Sequence, residues 1–179
     1  MSLSAAQRFF SLLALLALAG SVVMVVLRLV PSGRSLLNQI GPSSRWMAFA
    51  VAAVSTAGSL YFSEVQNFIP CKLCWYQRIA MFSLALVLLV GAIRRDRGVR
   101  WYAVPLAAVG TAVSVYHYLV EWFPGIETGS CDLFAPCSSP YFREFGFVTL
   151  SFMAGAGFLT VLALLLLPHE EDPHGQEHR

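Results

Sequence analysis

Two pairs of cysteines, Cys71/Cys74 and Cys131/Cys137, are the residues of this chain whose type and spacing could do chemistry. Close pairs of thiols form disulfides, hold a metal or exchange electrons, depending on the compartment they face. The first pair lies in "NFIPCKLCWYQRIAMF", Asn67 to Phe82. Pro70 suits the start of a helix, whose first turn has no use for the missing N–H. Cys71 and Cys74 then fall in the first turn, where unpaired amides and the helix dipole lower a thiol pKa, as the C-x-x-C spacing itself does. Cys71, Cys74 and Arg78 are spaced i, i+3, i+7 and share one face. Arg78 lies about 6 Å deeper than Cys74 at the helical rise. A cation there lowers the energy of a thiolate that faces the membrane interior. The bland alternatives are a structural disulfide, half of a zinc site, and an arginine that snorkels its head group to the interface; the shared face favours the functional reading.

A second polar stripe points to the same layer. In "YHYLVEWFPG", His117 and Glu121 stand at i, i+4 on one face, with His117 about 9 Å below the end of its segment. Ionisable residues within a membrane segment are functional candidates with a partner expected, although an interfacial histidine is often simply hydrogen-bonded and Glu121 can reach water. Cys131 and Cys137 lie in "CDLFAPCSSPYF", a turn-rich loop in which five intervening residues close a small ring. The two pairs could together form a four-thiolate zinc site. The long second spacing and an oxidising exterior argue against that, and no metal is expected.

The elements that must position these residues belong to a membrane protein. Of 179 residues, 57% are hydrophobic and 12% charged, with a mean hydropathy of +0.65; a soluble domain carries about twice that charge. The net charge of +2 suggests no nucleic-acid partner. Five apolar segments, near Phe9–Val30, Trp46–Phe62, Trp75–Ile93, Trp101–Phe123 and Phe145–Leu167, approach the length a bilayer requires. The second is rich in Ala, Ser and Gly, which suits close helix packing. "RRDRGVR" (Arg94 to Arg100), with Arg28, Arg34 and Arg45, marks the cytoplasmic side, so both cysteine pairs are expected to face outward. Ala17-Leu18-Ala19 before Gly20 resembles a signal-peptide cleavage site, but cleavage would turn Cys71 and Cys74 inward, so the segment is read as a retained helix. The tail "HEEDPHGQEHR" reads as disordered and cytoplasmic, its histidines bland.

At this point the residues resemble a known family. "GSLYFSE…FIPCKLCWYQRIAMF", "HYL…PG", the C-x5-C pair and "FGFVTLSF" are similar to the disulfide-bond-formation protein B family, in its shorter BdbC-like branch, over about Ala50 to Leu167. The C-x-L-C-W-Y-Q-R stretch is the specific part. The resemblance implies an all-α membrane protein: a four-helix transmembrane bundle (residues 46–168), here with an extra N-terminal transmembrane helix and cytoplasmic loop (1–45) and the tail (169–179). It implies an enzyme of the bacterial cell (inner) membrane that re-oxidises an extracytoplasmic DsbA-like thioredoxin-fold oxidase and passes the electrons to a quinone, ubiquinone or menaquinone. By motif, Cys71 and Cys74 match the quinone-coupled pair, Cys74 being next to the quinone. Arg78 matches a quinone-binding arginine, His117 and Glu121 match positions near the ring, and Cys131 and Cys137 match the shuttle pair that meets the partner. The implied order is partner attack at Cys131, attack of Cys137 on Cys71, and departure of Cys74 as a thiolate, which is faster for a lower-pKa thiol. The extra helix and the short loop around Cys131 depart from the family plan. Two rivals are a helical membrane adaptor with two inert disulfides and a vitamin-K-epoxide-reductase-like enzyme; the latter usually carries its membrane-proximal C-x-x-C near the end of the bundle, whereas here that pair opens the second core helix.

Overall fold

The computed structural model describes residues 2–96, 98–127, 129, 131 and 135–167. Arg97, Asp132 and the tail from residue 168 onward lie outside the described residues. The described residues form an all-α membrane protein: α1 (Leu3–Leu29), α2 (Pro31–Ile40), α3 (Ser44–Leu60), α4 (Lys72–Ile93), α5 (Arg100–Trp122) and α6 (Leu150–Leu165). Four helical stretches, Leu3–Leu29, Ser44–Val65, Lys72–Ile93 and Arg100–Trp122, are long and apolar enough to cross a membrane. α6 is apolar but shorter, at 16 residues.

α3, α4, α5 and α6 pack in a closed ring, each against the next, and α1 is added outside along α6. In lipid the close approach of backbones, rather than hydrophobicity, draws helices together. Accordingly the contact faces are small: Ala48 and Ala52 on α3 and Ala103 and Ala107 on α5 are fully buried. Gly110 of α5 leaves the space that the buried Phe158 ring of α6 occupies; a Cβ there would overlap the ring. Leu84 and Leu88 of α4 and Val161 of α6 complete this core. Gln77 Nε2 of α4 donates across the bundle to Ser114 Oγ of α5 at 3.0 Å.

Three features differ from the sequence expectation. The connection from Pro31 is not an open loop but the ten-residue helix α2, with Pro31 at its first turn. The last apolar segment does not begin its helix at Phe145. Phe145 and Gly146 take positive φ (53° and 82°) inside a turn closed by Glu144 and Val148, and Thr149 caps the helix through its side chain. Finally, α3 runs into a π-helical turn, Tyr61–Val65, before Asn67 enters the left-handed region (φ 57°) and redirects the chain toward Pro70.

Candidate functional site

Cys71 is the N-cap of α4, not a member of its first turn. Its backbone is extended (φ −71°, ψ 172°), and its Sγ accepts a hydrogen bond from the Cys74 amide at 3.2 Å. The side chain turns toward α5, where His117 Nε2 lies 3.6 Å away. His117 Nε2 in turn lies 3.8 Å from Glu121 Oε1, and all three residues are buried. Cys71 precedes the spanning helix, and its thiol is lowered to about 5; the hydrogen bond with the Cys74 side chain is the main cause and His117 adds to it, against the opposing effect of burial. The donor atoms of Cys71, Cys74 and His117 lie within 4.8 Å of one another, a set that would also suit a thiophilic cation.

The loop pair sits over this cluster. Cys131 and Cys137 are joined by a disulfide, whereas Cys71 and Cys74 are free thiols. Cys137 is 1% exposed and packs with Cys71, Leu73 and Val120, while Cys131 lies at the edge of the same cluster. Tyr141 holds the loop in place. Its ring stacks on Phe68 with centroids 4.2 Å apart, and its hydroxyl accepts from the Ile69 amide (2.8 Å) and donates to the Ile69 carbonyl (3.0 Å). The loop is thereby fixed to the very segment that leads into Cys71. On the other side Arg143 donates to the Glu121 carbonyl at 2.7 Å and lies over Trp122.

Two cavities meet at α4. One, of about 360 Å³, is lined by Cys71, Cys137, His117 and Glu121. The other, of about 430 Å³, lies between α1, α3, α4 and α6 and is lined by Ser63, Gln77, Arg78, Met81, Phe82 and other, mostly apolar, residues. Cys74 lines both. Arg78 is 7% exposed. Its Nη2 donates to Ser63 Oγ at 2.6 Å and its guanidinium lies over Trp75 and Phe82 at 5.1 and 5.6 Å. Its Nε is buried without a hydrogen-bond partner among the described residues.

The structure thus places the seven sequence candidates at one end of the bundle but divides them. Cys74 and Arg78 border the larger cavity, whereas Cys71, His117 and Glu121 border the smaller one with Cys137. His117 and Glu121 line the smaller cavity beside Cys71 and are not among the residues that border the larger one. The anion-stabilising groups expected at Cys74 also gather at Cys71, because the N-cap geometry turns that sulfur back onto the Cys74 amide. Arg78 spends one donor on Ser63.

Comparison with known proteins accords with this pattern of thiols. Residues 43–167 match the family model "Disulfide bond formation protein DsbB". The chain belongs to this family. It is 40% identical over 123 residues to "Disulfide bond formation protein C" of Bacillus subtilis (strain 168), covering 68% of this chain and 89% of that one. It is 42% identical over 118 residues to the "Probable disulfide formation protein" of Oceanobacillus iheyensis, covering 65% and 81%. To "Probable disulfide formation protein C 1" of Bacillus anthracis it is 39% identical over 115 residues, covering 64% and 83%. No solved structure matches the chain.

Residue-by-residue reading of the sequence did not single out Ser63, Gln77, Phe68 and Tyr141. Gln77 and Ser63 stand in stretches that carry the family resemblance, but their partners depend on the π turn and on α5. The Phe68–Tyr141 stack joins positions 73 apart in the chain and has no local signal.

Proposed function

We propose that this membrane protein is a quinone-reducing thiol oxidase: it withdraws electrons from an extracytoplasmic thioredoxin-fold oxidase and delivers them to a membrane quinone. Membership of a disulfide-bond-formation family supports a thiol–disulfide partner and a membrane setting. The single observation that carries the finer reading is that Cys74 alone among the four cysteines borders both the thiol cavity shared by Cys71 and Cys137 and the apolar cavity beside Arg78.

The residues of that apolar cavity fit a quinone. It is largely apolar, as small-molecule sites are, and Arg78 brings to it a buried Nε donor with no partner among the described residues. Such a donor is costly unless a ligand oxygen accepts from it. Arg78 and Gln77 would hold the ring oxygens, Trp75 and Phe82 fixing the guanidinium. When bound, the quinone supplies the site with an acceptor for two electrons and two protons.

The chain's own part begins at the loop. A partner thiolate attacks Cys131 Sγ, the more accessible sulfur; the Cys131–Cys137 bond breaks and Cys137 leaves as a thiolate. Cys137 attacks Cys71 of the Cys71–Cys74 disulfide, that bond breaks, and Cys74 leaves as a thiolate. The partner's second thiolate then displaces Cys131, which attacks Cys137 in the Cys137–Cys71 bond. The loop disulfide re-forms and Cys71 is released as a thiolate. The partner is now oxidised by two electrons and the Cys71/Cys74 pair reduced by two, the arrangement of bonds the structure holds. His117 stabilises the departing Cys71 sulfur and can hold a proton there. Re-forming the Cys71–Cys74 bond releases two electrons at the boundary of the apolar cavity. The arginine-rich ends of α1, α4 and α5 support a cytoplasmic placement of the opposite face, with both pairs on the periplasmic or exterior side of the bacterial cell membrane.

The test is direct. Purified protein, a reduced thioredoxin-fold oxidase and a soluble quinone are mixed, and quinone absorbance is followed. Reduction is expected with the wild type and not with Cys74→Ser. An inert wild type, or equal rates in both, would overturn the proposal.

A further inference from the structure

α1 lies outside the family match, which begins at residue 43, yet it walls the apolar cavity. Phe10, Leu13, Ala14, Leu16 and Ala17 all border it. The helix is fastened to the bundle along its length. Near the cysteine end Arg8 Nε pairs with Glu144 Oε1 at 3.2 Å. Midway the Ser21 hydroxyl donates to Thr160 Oγ1 at 2.9 Å, both residues being buried. At the far end Arg28 donates to the Leu166 carbonyl at 2.8 Å. Its buried face consists of Ala6, Ser11, Ala14 and Ser21, small residues that let it approach α6 closely, while Val22, Val23 and Val26 remain more than half exposed.

The cavity is longer than one quinone ring. Along α4 it runs from Cys74 to Phe82, eight residues or about 12 Å. The donors Gln77, Arg78 and Tyr141 lie toward the Cys74 end; beyond them the lining is mostly small or apolar, with Ala14 and Ala17 of α1 facing Ala154 and Gly157 of α6. Gly157 lets α6 approach α3 and α4 closely there, since a Cβ would come within 2.9 Å of Ser55 Oγ and 3.3 Å of Met81 Cε. At the cysteine end the Phe10 ring closes the side between α1 and α3. It lies against Gly58, where a Cβ would meet it at 2.8 Å, and 5.5 Å from the Phe62 ring.

Building on the quinone reading above, we propose that α1 forms the lipid-side wall of the acceptor site: Ala14 and Ala17 cradle the first part of the isoprenoid tail, and Phe10 shuts the gap to α3 beside the ring. α1 therefore sets how strongly the site prefers a tailed quinone to a tail-less one.

The experiment uses the full-length protein in detergent, with Ala14→Phe and Ala17→Phe filling the wall and Val22→Phe as a control on the exposed face. Tailed quinone retained through purification is extracted and quantified, and KM is measured for a tailed and for a tail-less quinone. Both wall variants should retain little tailed quinone and show a KM for it raised about tenfold, the loss expected when two buried methylene groups are displaced. KM for the tail-less quinone should change less than about twofold, and reduction of the loop disulfide by dithiothreitol should keep its rate. Val22→Phe should behave as wild type. Ala17→Leu serves by the same readouts if a larger variant does not fold. Retention and KM equal to wild type in the folded wall variants would overturn the assignment of α1 while leaving the quinone reading intact. A wild type that neither retains nor reduces any quinone would overturn both.

Discussion

Replacing His117 by alanine should raise the pKa of Cys71 and slow its reaction at low pH. The structure puts His117 Nε2 3.6 Å from Cys71 Sγ in a buried site, where the Cys74 amide also reaches the sulfur at 3.2 Å. A hydrogen bond to a charged group contributes about 1.5–3 kcal/mol, and one pKa unit is about 1.36 kcal/mol, so its loss amounts to roughly one to two units. The Cys71 thiol, now lowered to about 5, would then titrate near 6 to 7 by the same conversion. Because only the thiolate reacts, wild-type Cys71 should stay fully reactive as pH falls from 9 to about 6 and lose reactivity only below that. In His117→Ala the loss begins one to two units higher, so alkylation at pH 6 is between about two- and tenfold slower. The assay is a pH series of iodoacetamide labelling on the reduced protein in detergent, with the Cys71 peptide quantified by mass spectrometry. An unchanged midpoint in a folded His117→Ala protein would refute the argument, leaving the Cys74 side chain and amide as sufficient causes.

Three further outcomes are expected. Arg78→Lys keeps the charge but loses the planar fork of donors, so the quinone KM should rise modestly; in Arg78→Met it should rise strongly, by tenfold or more for about 1.4 kcal/mol, with exchange at Cys131 little changed, as steady-state kinetics at varied quinone will show. Cys137→Ser should trap a thioredoxin-fold partner on Cys131 as a stable mixed disulfide visible on non-reducing gels, whereas Cys131→Ser should not; equal trapping by both would reverse the order of the loop pair. A membrane-impermeant maleimide should label reduced Cys131 in intact cells, and a reporter fused after Arg179 should be cytoplasmic; labelling only after lysis would invert the orientation.

Much of the bundle is legible in hydropathy because lipid-facing helices must be apolar along their length, and α3, α4 and α5 start and stop near where the apolar runs do. α2 is not, since a ten-residue helix with polar and apolar sides carries no spanning signal. The start of α6 is displaced because Phe147 and Val148 are apolar yet belong to the turn that Glu144 closes. Within the site, the i, i+3, i+7 spacing of Cys71, Cys74 and Arg78 suggests one face. The structure separates them because Cys71 is the cap, with an extended backbone, so its sulfur points to α5 while Cys74 and Arg78 border the apolar cavity. Which groups meet Arg78 and the loop could not be read locally. Ser63 reaches Arg78 from the π turn, and the loop is held over Cys71 by the Phe68–Tyr141 stack, contacts made only after the chain has closed on itself.

The account's central claim is that electrons pass from the loop pair to Cys71 and Cys74 and leave through Cys74. The most direct measurement is the redox state of each pair in a single turnover, trapped with a mass-tagged maleimide after mixing quinone-depleted protein, both pairs oxidised, with one equivalent of reduced thioredoxin-fold partner. Cys71 and Cys74 should take up the tag while Cys131 and Cys137 remain bonded, and adding quinone should abolish that tagging. Tag accumulating on Cys131 and Cys137 with the Cys71–Cys74 disulfide intact, or tagging of Cys71 and Cys74 that quinone leaves unchanged, would contradict it.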